Sequence, residues 1–176
     1  RLTDALSSSS HAFELIYVND GSTDNTFPLL LEIHGSARIP TTLVDLMHNV
    51  GQTNAWTAGL QYATGRHIIF LDCDLQVAPE DLMRLIDAFE ETCDMVSGAR
   101  IDRKDNLLRK GLSRVGNAII RHTLHLPLHD FGSGIKILNG EFIRAFNSGP
   151  HHPINPGVLM LSLRQIVEVP IKHQAR

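Results

Sequence analysis

Cysteine is scarce in the 176-residue chain, which contains only Cys73 and Cys93 and so provides no disulfide framework. This composition favours a reducing compartment. An excess of positive charge is also lacking, because the formal net charge of −3 gives no electrostatic basis for binding nucleic acid. No run of 18 apolar residues that could span a bilayer occurs in the sequence.

The patterns of two common cofactor sites are missing as well. The ten histidines are scattered, and the adjacent pair His151 and His152 has no second ligand pair at zinc spacing. No Gly-x-Gly-x-x-Gly follows a predicted strand, which argues against a dinucleotide-binding domain. Aromatic residues are few, with one Trp and two Tyr, so platforms for stacking neutral sugars are scarce.

Short apolar runs alternate with helical patterns along the chain. The predicted strands are 13–19, 41–49, 66–72, 93–100, 132–139 and 165–173. The predicted helices are 22–33, 51–65, 77–92 and 106–125. This alternation predicts an α/β fold with a mainly parallel sheet and helices on both faces. The chain length is that of one domain, which we assign to residues 1–176.

Polar residues directly follow several of the predicted strands. Asp20 comes after the first strand, Asp72 and Asp74 after the third, and Arg100 after the fourth. Because the carboxyl ends of parallel strands meet at one rim of a sheet, we expect these side chains to lie at the same rim.

The Asp72-Cys73-Asp74 turn indicates metal chemistry. Two carboxylates at positions i and i+2 can both face a hard cation, Mg²⁺ or Mn²⁺, which takes further oxygens from phosphate groups. Such a cation neutralises charge on a departing diphosphate. Asp20 would then accept hydrogen bonds from a nucleobase or ribose, and Gly51 would let the chain approach the ligand closely.

Each of these features also has a simpler interpretation. An isolated Asp-x-Asp usually caps the next helix or remains in solvent. The sequence Asn-Asp-Gly-Ser at 19–22 is ordinary turn chemistry, and Gly51 could merely precede a helix. Most charges of the basic stretch around Arg100 and Arg109 would simply lie on a solvated helix face or pair with acids such as Asp102 or Asp105, although Arg100 or Arg109 could hold an anion as a planar donor fork.

Five motifs in order give a more specific indication. They are Asn-Asp-Gly-Ser-Thr-Asp (19–24), Asn-x-Gly-Gln (49–52), Leu-Asp-x-Asp-Leu-Gln-x-x-Pro-Glu (71–80), Gly-x-Arg (98–100) and Asp-x-Gly-Ser-Gly (130–134). From about residue 14 to 176 the chain resembles the family 2 glycosyltransferases of GT-A fold. Within this family it most resembles the polyprenyl-phosphate sugar transferases, such as dolichyl-phosphate mannose synthase and undecaprenyl-phosphate glycosyltransferases. The segments that carry this resemblance are "RIDRKDNLLRKGLSRVGNAIIR", "HDFGSGIKIL" and "VEVPIKHQAR".

The resemblance implies a Rossmann-like, mainly parallel GT-A sheet flanked by helices. It also implies metal-dependent, inverting transfer of a sugar from a nucleotide-diphosphate donor to a polyprenyl phosphate. The implied metal residues are Asp72, Asp74 and Gln76. Asp130 would face the sugar, and the implied contacts with donor or acceptor are made by Asp20, Arg100, Arg109, Ser113, His173 and Arg176.

The chain also departs from the family pattern. The family's first strand, which ends in Pro-x-Tyr-Asn-Glu, is absent, so we expect the chain to begin in the following helix and to be incomplete at both ends. Many relatives carry C-terminal membrane helices, which implies that the full-length protein works at the cytoplasmic face of the cell membrane. Homo-oligomer formation is left open.

Two alternative functions are retained. One is transfer to a saccharide hydroxyl in cell-surface polysaccharide synthesis, with Asp130 as the base that removes the hydroxyl proton. The other is a non-catalytic fragment that binds a nucleotide sugar.

Overall fold

The strands form where the apolar runs predict them. In the computed structural model, the structure describes residues 2–74, 76–89, 93–100, 130, 133–146 and 165–172. The strands are β1 (Leu15–Asn19), β2 (Thr41–Asp45), β3 (His67–Leu71), β4 (Met95–Arg100), β5 (Ile135–Asn139) and β6 (Ile166–Ile171). Each lies within one predicted strand, so all six strand predictions are confirmed.

Helices separate most of these strands. They are α1 (Leu2–Ser7), α2 (Thr26–Gly35), α3 (Gln52–Leu60), α4 (Pro79–Asp87) and α5 (Gly140–Phe146). The expected opening helix and the helices predicted before β2, β3 and β4 are confirmed. The short helix α5 was not predicted, and the helix predicted over 106–125 lies outside the described residues.

Helix α4 shows why these elements form. Pro79 occupies its first turn, where the missing N–H has no helical partner, and Glu80 and Asp81 lie near the positive end of the helix dipole. Leu82 and Leu85 follow at helical spacing, and both side chains are buried. The buried face attaches α4 to the sheet formed by β4, β5 and β6.

The chain divides into two compact units. Unit 1 comprises Arg1–Ile68 and Gly140–Pro156, and unit 2 comprises Ile69–Asn139 and Gly157–Arg176. The assignment of residues 1–176 to one domain stays a prediction.

Unit 1 contains a two-stranded parallel sheet. Strands β1 and β2 pair in register from Leu15 opposite Thr41 to Asn19 opposite Asp45. Helix α3 packs on β1, and Gly59 allows this approach because a Cβ at that position would lie 2.8 Å from Cγ2 of Val18.

The second sheet has the strand order β3-β5-β4-β6. Strand β4 pairs antiparallel with β5 and parallel with β6. The predicted α/β class with largely parallel pairing is confirmed. The expected single sheet, however, is replaced among the described residues by two sheets, and β5 is antiparallel, because strand direction depends on chain connections that a local apolar pattern does not encode.

Both faces of the central strands are buried in unit 2. The fully buried apolar side chains include Met95, Val96, Ile135, Ile137 and Leu138. Burial of each such side chain contributes roughly 1.5–3 kcal/mol, so these residues contribute much of the stability of the described part of unit 2. Among the described helices, none is long and apolar enough to cross a bilayer.

Candidate active site

The Asp72 carboxylate lies directly against the segment that precedes β5. The backbone N–H of Asp72 donates a hydrogen bond of 3.2 Å to the carbonyl oxygen of Gly134. A Cβ added to Gly134 would lie 2.5 Å from Oδ2 of Asp72, which is closer than any side chain tolerates. The last glycine of the Asp-x-Gly-Ser-Gly motif therefore makes room for the first carboxylate of Asp-x-Asp.

Asp74 and Gln76 are joined by a local turn. The backbone N–H of Gln76 donates to Oδ1 of Asp74 at 3.2 Å, a bond typical of an Asx turn. Asp72, Asp74 and Gln76 are all half-buried just beyond the end of β3. The three predicted metal residues thus occupy one turn, with oxygen atoms of the kind that hard cations prefer.

Cys73, between the two carboxylates, is not suited to nucleophilic chemistry. Partial burial and the negative charges of Asp72 and Asp74 raise the pKa of its thiol, so the thiol remains protonated near neutral pH. A protonated thiol is a poor nucleophile.

Arg100 and Asp130 form a two-bond ion pair. Nε of Arg100 donates to Oδ2 of Asp130 at 2.6 Å, and Nη2 donates to Oδ1 at 2.7 Å. The side chains are only 13% and 10% exposed, which strengthens the pair by limiting its contact with water. Arg100 was predicted to contact phosphate, but in the structure its guanidinium group donates to the carboxylate of Asp130.

The backbone of Asp130 is held from strand β6. Its N–H donates a hydrogen bond of 3.0 Å to Oε1 of Glu168. Glu168 was not among the predicted site residues, because a single acid in "QIVEVPIKH" resembles an ordinary solvent-facing strand position.

Lys136, the second residue of β5, was also missed. The residue is 6% exposed, and Nζ donates to the carbonyl oxygen of Ser133 at 2.5 Å. Burial lowers the pKa of Lys136 and outweighs the Asp130 and Asp72 carboxylates, which raise it. The available signal was one charge in the otherwise apolar run Ile135–Leu138, since a strand buried on both faces should be apolar throughout.

A separate group of loop contacts surrounds Asp20 in unit 1. Its two carboxylate oxygens accept hydrogen bonds from the backbone N–H groups of Val50, at 2.7 Å, and Gly51, at 3.0 Å. Gly51 has a φ of 87°, in the region that favours glycine. Asp20 therefore organises the loop containing Gly51, and its predicted contact with a nucleobase or ribose remains a prediction.

Two further contacts join the ends of β1 and β2 and the loops that follow these strands. Nδ2 of Asn19 donates to Oδ1 of Asp45 at 2.7 Å, across the β1–β2 pair. Gly21 has a φ of 65°, and a Cβ there would lie 2.3 Å from the carbonyl carbon of His48. The Asn-Asp-Gly-Ser turn is consequently built to pack against the 48–51 loop.

The structure therefore brings the predicted residues into two groups. Unit 1 contains Asp20 and Gly51, whereas unit 2 contains Asp72, Asp74, Gln76, Arg100 and Asp130. The other predicted contacts, Arg109, Ser113, His173 and Arg176, lie outside the described residues.

Comparison with known families identifies this arrangement. The model of the glycosyl transferase family 2 domain matches residues 1–168. The chain belongs to glycosyltransferase family 2. This match confirms the family that the five motifs resemble. The narrower assignment to the polyprenyl-phosphate branch stays a prediction.

Solved structures show the same GT-A fold as this family 2 domain. A mannosyltransferase from Pyrobaculum calidifontis, in complex with GDP-Man and Mn²⁺, has a TM-score of 0.64 and 17% identity over 95% of this chain and 49% of its own. Glucosyl-3-phosphoglycerate synthase from Mycobacterium tuberculosis, in complex with Mn²⁺, UDP-Glc and glycerol 3-phosphate, has a TM-score of 0.57 and 17% identity over 99% of this chain and 76% of its own. A mycobacterial protein has a TM-score of 0.60 and 16% identity over 99% of this chain and 62% of its own.

The chain thus spans about half the length of the Pyrobaculum calidifontis mannosyltransferase and about three fifths of the length of the mycobacterial protein.

Proposed function

We propose that this chain is part of a metal-dependent, inverting glycosyltransferase that moves a sugar from a nucleotide-diphosphate donor to a polyprenyl phosphate. The observation that supports it best is the group of charges in unit 2. Its carboxylates are Asp72, Asp74, Asp130 and Glu168, and its cations are Arg100 and Lys136. Two negative charges remain in excess among these described residues, which matches one divalent cation.

The residues at the tip of β3 fit such a cation. Asp72 and Asp74 would hold it, with the Gln76 amide oxygen beside them. Within the described part of the chain, no three His, Cys, Asp or Glu side chains are grouped closely enough to enclose a metal. An incomplete set of protein ligands suits Mg²⁺ or Mn²⁺, which fill their coordination with water and phosphate oxygens. When bound, the ion supplies charge neutralisation on the departing nucleoside diphosphate.

The pairing of Asp130 favours a phosphate as the acceptor. A sugar hydroxyl must lose its proton during attack, whereas a phosphate monoester is already largely anionic near neutral pH, with a second pKa of about 6. Proton transfer to Asp130 would weaken both of its charge-assisted hydrogen bonds with Arg100. Asp130 is therefore better suited to orienting the donor sugar than to acting as a base.

The site of action follows from the acceptor. A polyprenyl phosphate resides in a membrane, so the full-length enzyme would work at the cytoplasmic membrane face, where nucleotide sugars are available.

The proposal is tested by a radiolabelled sugar-transfer assay with the full-length protein and Mn²⁺ or Mg²⁺. Polyprenyl phosphate, a panel of free glycans and glycerol 3-phosphate are offered as acceptors. We expect label in the lipid fraction only. Transfer to a glycan hydroxyl would instead support polysaccharide synthesis with Asp130 as base, and donor binding without any transfer would indicate a non-catalytic binding domain.

A variant of Arg109 refines the assay. The resemblance assigns Arg109 to phosphate contacts, so Arg109→Ala is expected to weaken use of the lipid acceptor ~10-fold or more, equivalent to about 1.4 kcal/mol, with donor binding largely retained. Arg38→Ala, which removes an exposed arginine from unit 1, serves as the matched control.

A further inference from the structure

Three polar side chains form a row across the centre of the sheet in unit 2. Lys136 on β5 lies opposite Ser97 on β4, and Ser97 lies opposite Glu168 on β6. Residues in register on neighbouring strands point to the same face of a sheet, about 5 Å apart. A lysine and a glutamate therefore flank one serine on a face that is otherwise mostly apolar.

The central serine has no hydrogen-bond partner among the described residues. Its side chain is fully buried, and its Oγ is unpaired within that part of the chain. An unpaired buried hydroxyl is costly, and two neighbours able to relieve that cost stand on either side of it. If the row served stability alone, Lys136 or Glu168 would be expected to bond with Ser97.

Both charged side chains instead reach the segment of residues 130–133. Glu168 accepts the N–H of Asp130, and Lys136 donates to the carbonyl oxygen of Ser133. Glu168 thus holds Asp130, and Lys136 holds Ser133. The carboxylate of Asp130 is in turn paired with Arg100.

We propose that Lys136 and Glu168 are positioning residues, which hold Ser133 and Asp130 at the start of β5 and beside β6 and so fix the Asp130–Arg100 pair for sugar transfer. The inference rests on the proposed function, in which Asp130 orients the donor sugar. Keeping a buried lysine and a glutamate at these two places costs desolvation energy that apolar strand residues would avoid.

The test compares variants that remove each hydrogen bond with variants that retain it. Lys136→Met removes the donor to Ser133, whereas Lys136→Gln retains an N–H donor. Glu168→Leu removes the acceptor for Asp130, whereas Glu168→Gln retains a carbonyl acceptor. In the full-length protein, Lys136→Met and Glu168→Leu are expected to lower kcat ~10-fold or more, since a misplacement of about 1 Å can cost 100-fold.

Two further readouts separate positioning from loss of folded protein. The KM for the nucleotide sugar is expected to change less than ~2-fold, and kcat is calculated per Mn²⁺-binding site so that unfolded molecules do not count. The Gln variants are expected to recover most of the lost kcat. Ser97→Ala, which removes only the unpaired hydroxyl, is the control within the same row and is expected to keep kcat and to unfold at the same or a higher temperature.

The outcomes distinguish this inference from the function on which it rests. Full kcat in both Lys136→Met and Glu168→Leu would overturn the inference and leave the proposed function intact. If Lys136→Met does not fold, Glu168→Leu and its Gln partner decide the question alone. Absence of transfer by the unsubstituted protein would overturn the proposed function, and a positioning role in transfer with it.

Discussion

Asp130 accepts two hydrogen bonds from the guanidinium group of Arg100, although the two residues are 30 positions apart in the sequence. Asp130→Leu would leave the Arg100 charge largely buried without its partner. We expect the free energy of unfolding to fall by about 3–5 kcal/mol, the usual cost of breaking a buried pair. Urea denaturation of Asp130→Leu, Arg100→Met and the double variant forms a double-mutant cycle, and the double variant should lose less than the two single losses combined. Additive losses would show that the pair is not coupled.

Asp74 is predicted to hold the divalent cation together with Asp72. Asp74→Asn keeps the side-chain shape and the oxygen that accepts the Gln76 N–H, so the fold should be retained. The lost negative charge is expected to abolish metal-dependent binding of the nucleotide sugar, as measured by calorimetry in Mn²⁺. Asp87→Asn, at the exposed end of α4, is the control. Unchanged affinity in Asp74→Asn would refute the metal role.

Gly134 gives a steric test of the same site. In Gly134→Ala the new methyl group would meet Oδ2 of Asp72 at 2.5 Å, so the carboxylate must move. We expect Mn²⁺ affinity to fall ~10-fold or more, about 1.4 kcal/mol. Gly35→Ala is the matched control, because a Cβ there has no neighbour within 4 Å and the residue ends helix α2. Equal Mn²⁺ affinity in the two variants would mean that Asp72 does not contact the ion.

Glu14 gives unit 1 a dependence on pH. Burial raises the pKa of its carboxyl, but hydrogen bonds from Thr64 and Gly65 outweigh burial and lower the pKa below the ordinary 4.5. The ionised group therefore stabilises the fold above pH 4.5, and this contribution is lost as the pH falls through the lowered pKa. Glu14→Gln should unfold at a lower temperature than the unsubstituted chain at pH 7, and the difference should shrink in acid. A pH-independent difference would contradict the assignment.

The borders of the two sheets predict association. Strand β1 pairs with β2 alone among the described strands, and β3 pairs with β5 alone. A strand at a sheet border can pair with another chain, and a two-stranded sheet is marginally stable by itself. We expect the 176-residue chain to self-associate with rising concentration in sedimentation velocity. A monomer at all concentrations with one cooperative unfolding transition would refute this.

The amino-acid sequence alone determined the positions of the strands and the turn that carries Asp72 and Asp74. A short apolar run between turn residues is buried as a strand of about the same length as the run. Pro79, followed by two acidic residues, favours the start of a helix. Helix α5 was not predicted because it is only seven residues long and begins at Gly140, a poor helix former that directly follows Asn139 in a pair typical of turns.

Only the tertiary structure decided which residues meet. The order β3-β5-β4-β6 brings Lys136, Ser97 and Glu168 into one row, and it places Asp130 where Arg100 and Glu168 both reach it. These contacts join residues far apart in the chain, and local periodicity carries no information about strand order or direction. The physical reason is that strand pairing is settled by which faces and edges can be buried together, which is a property of the whole sheet.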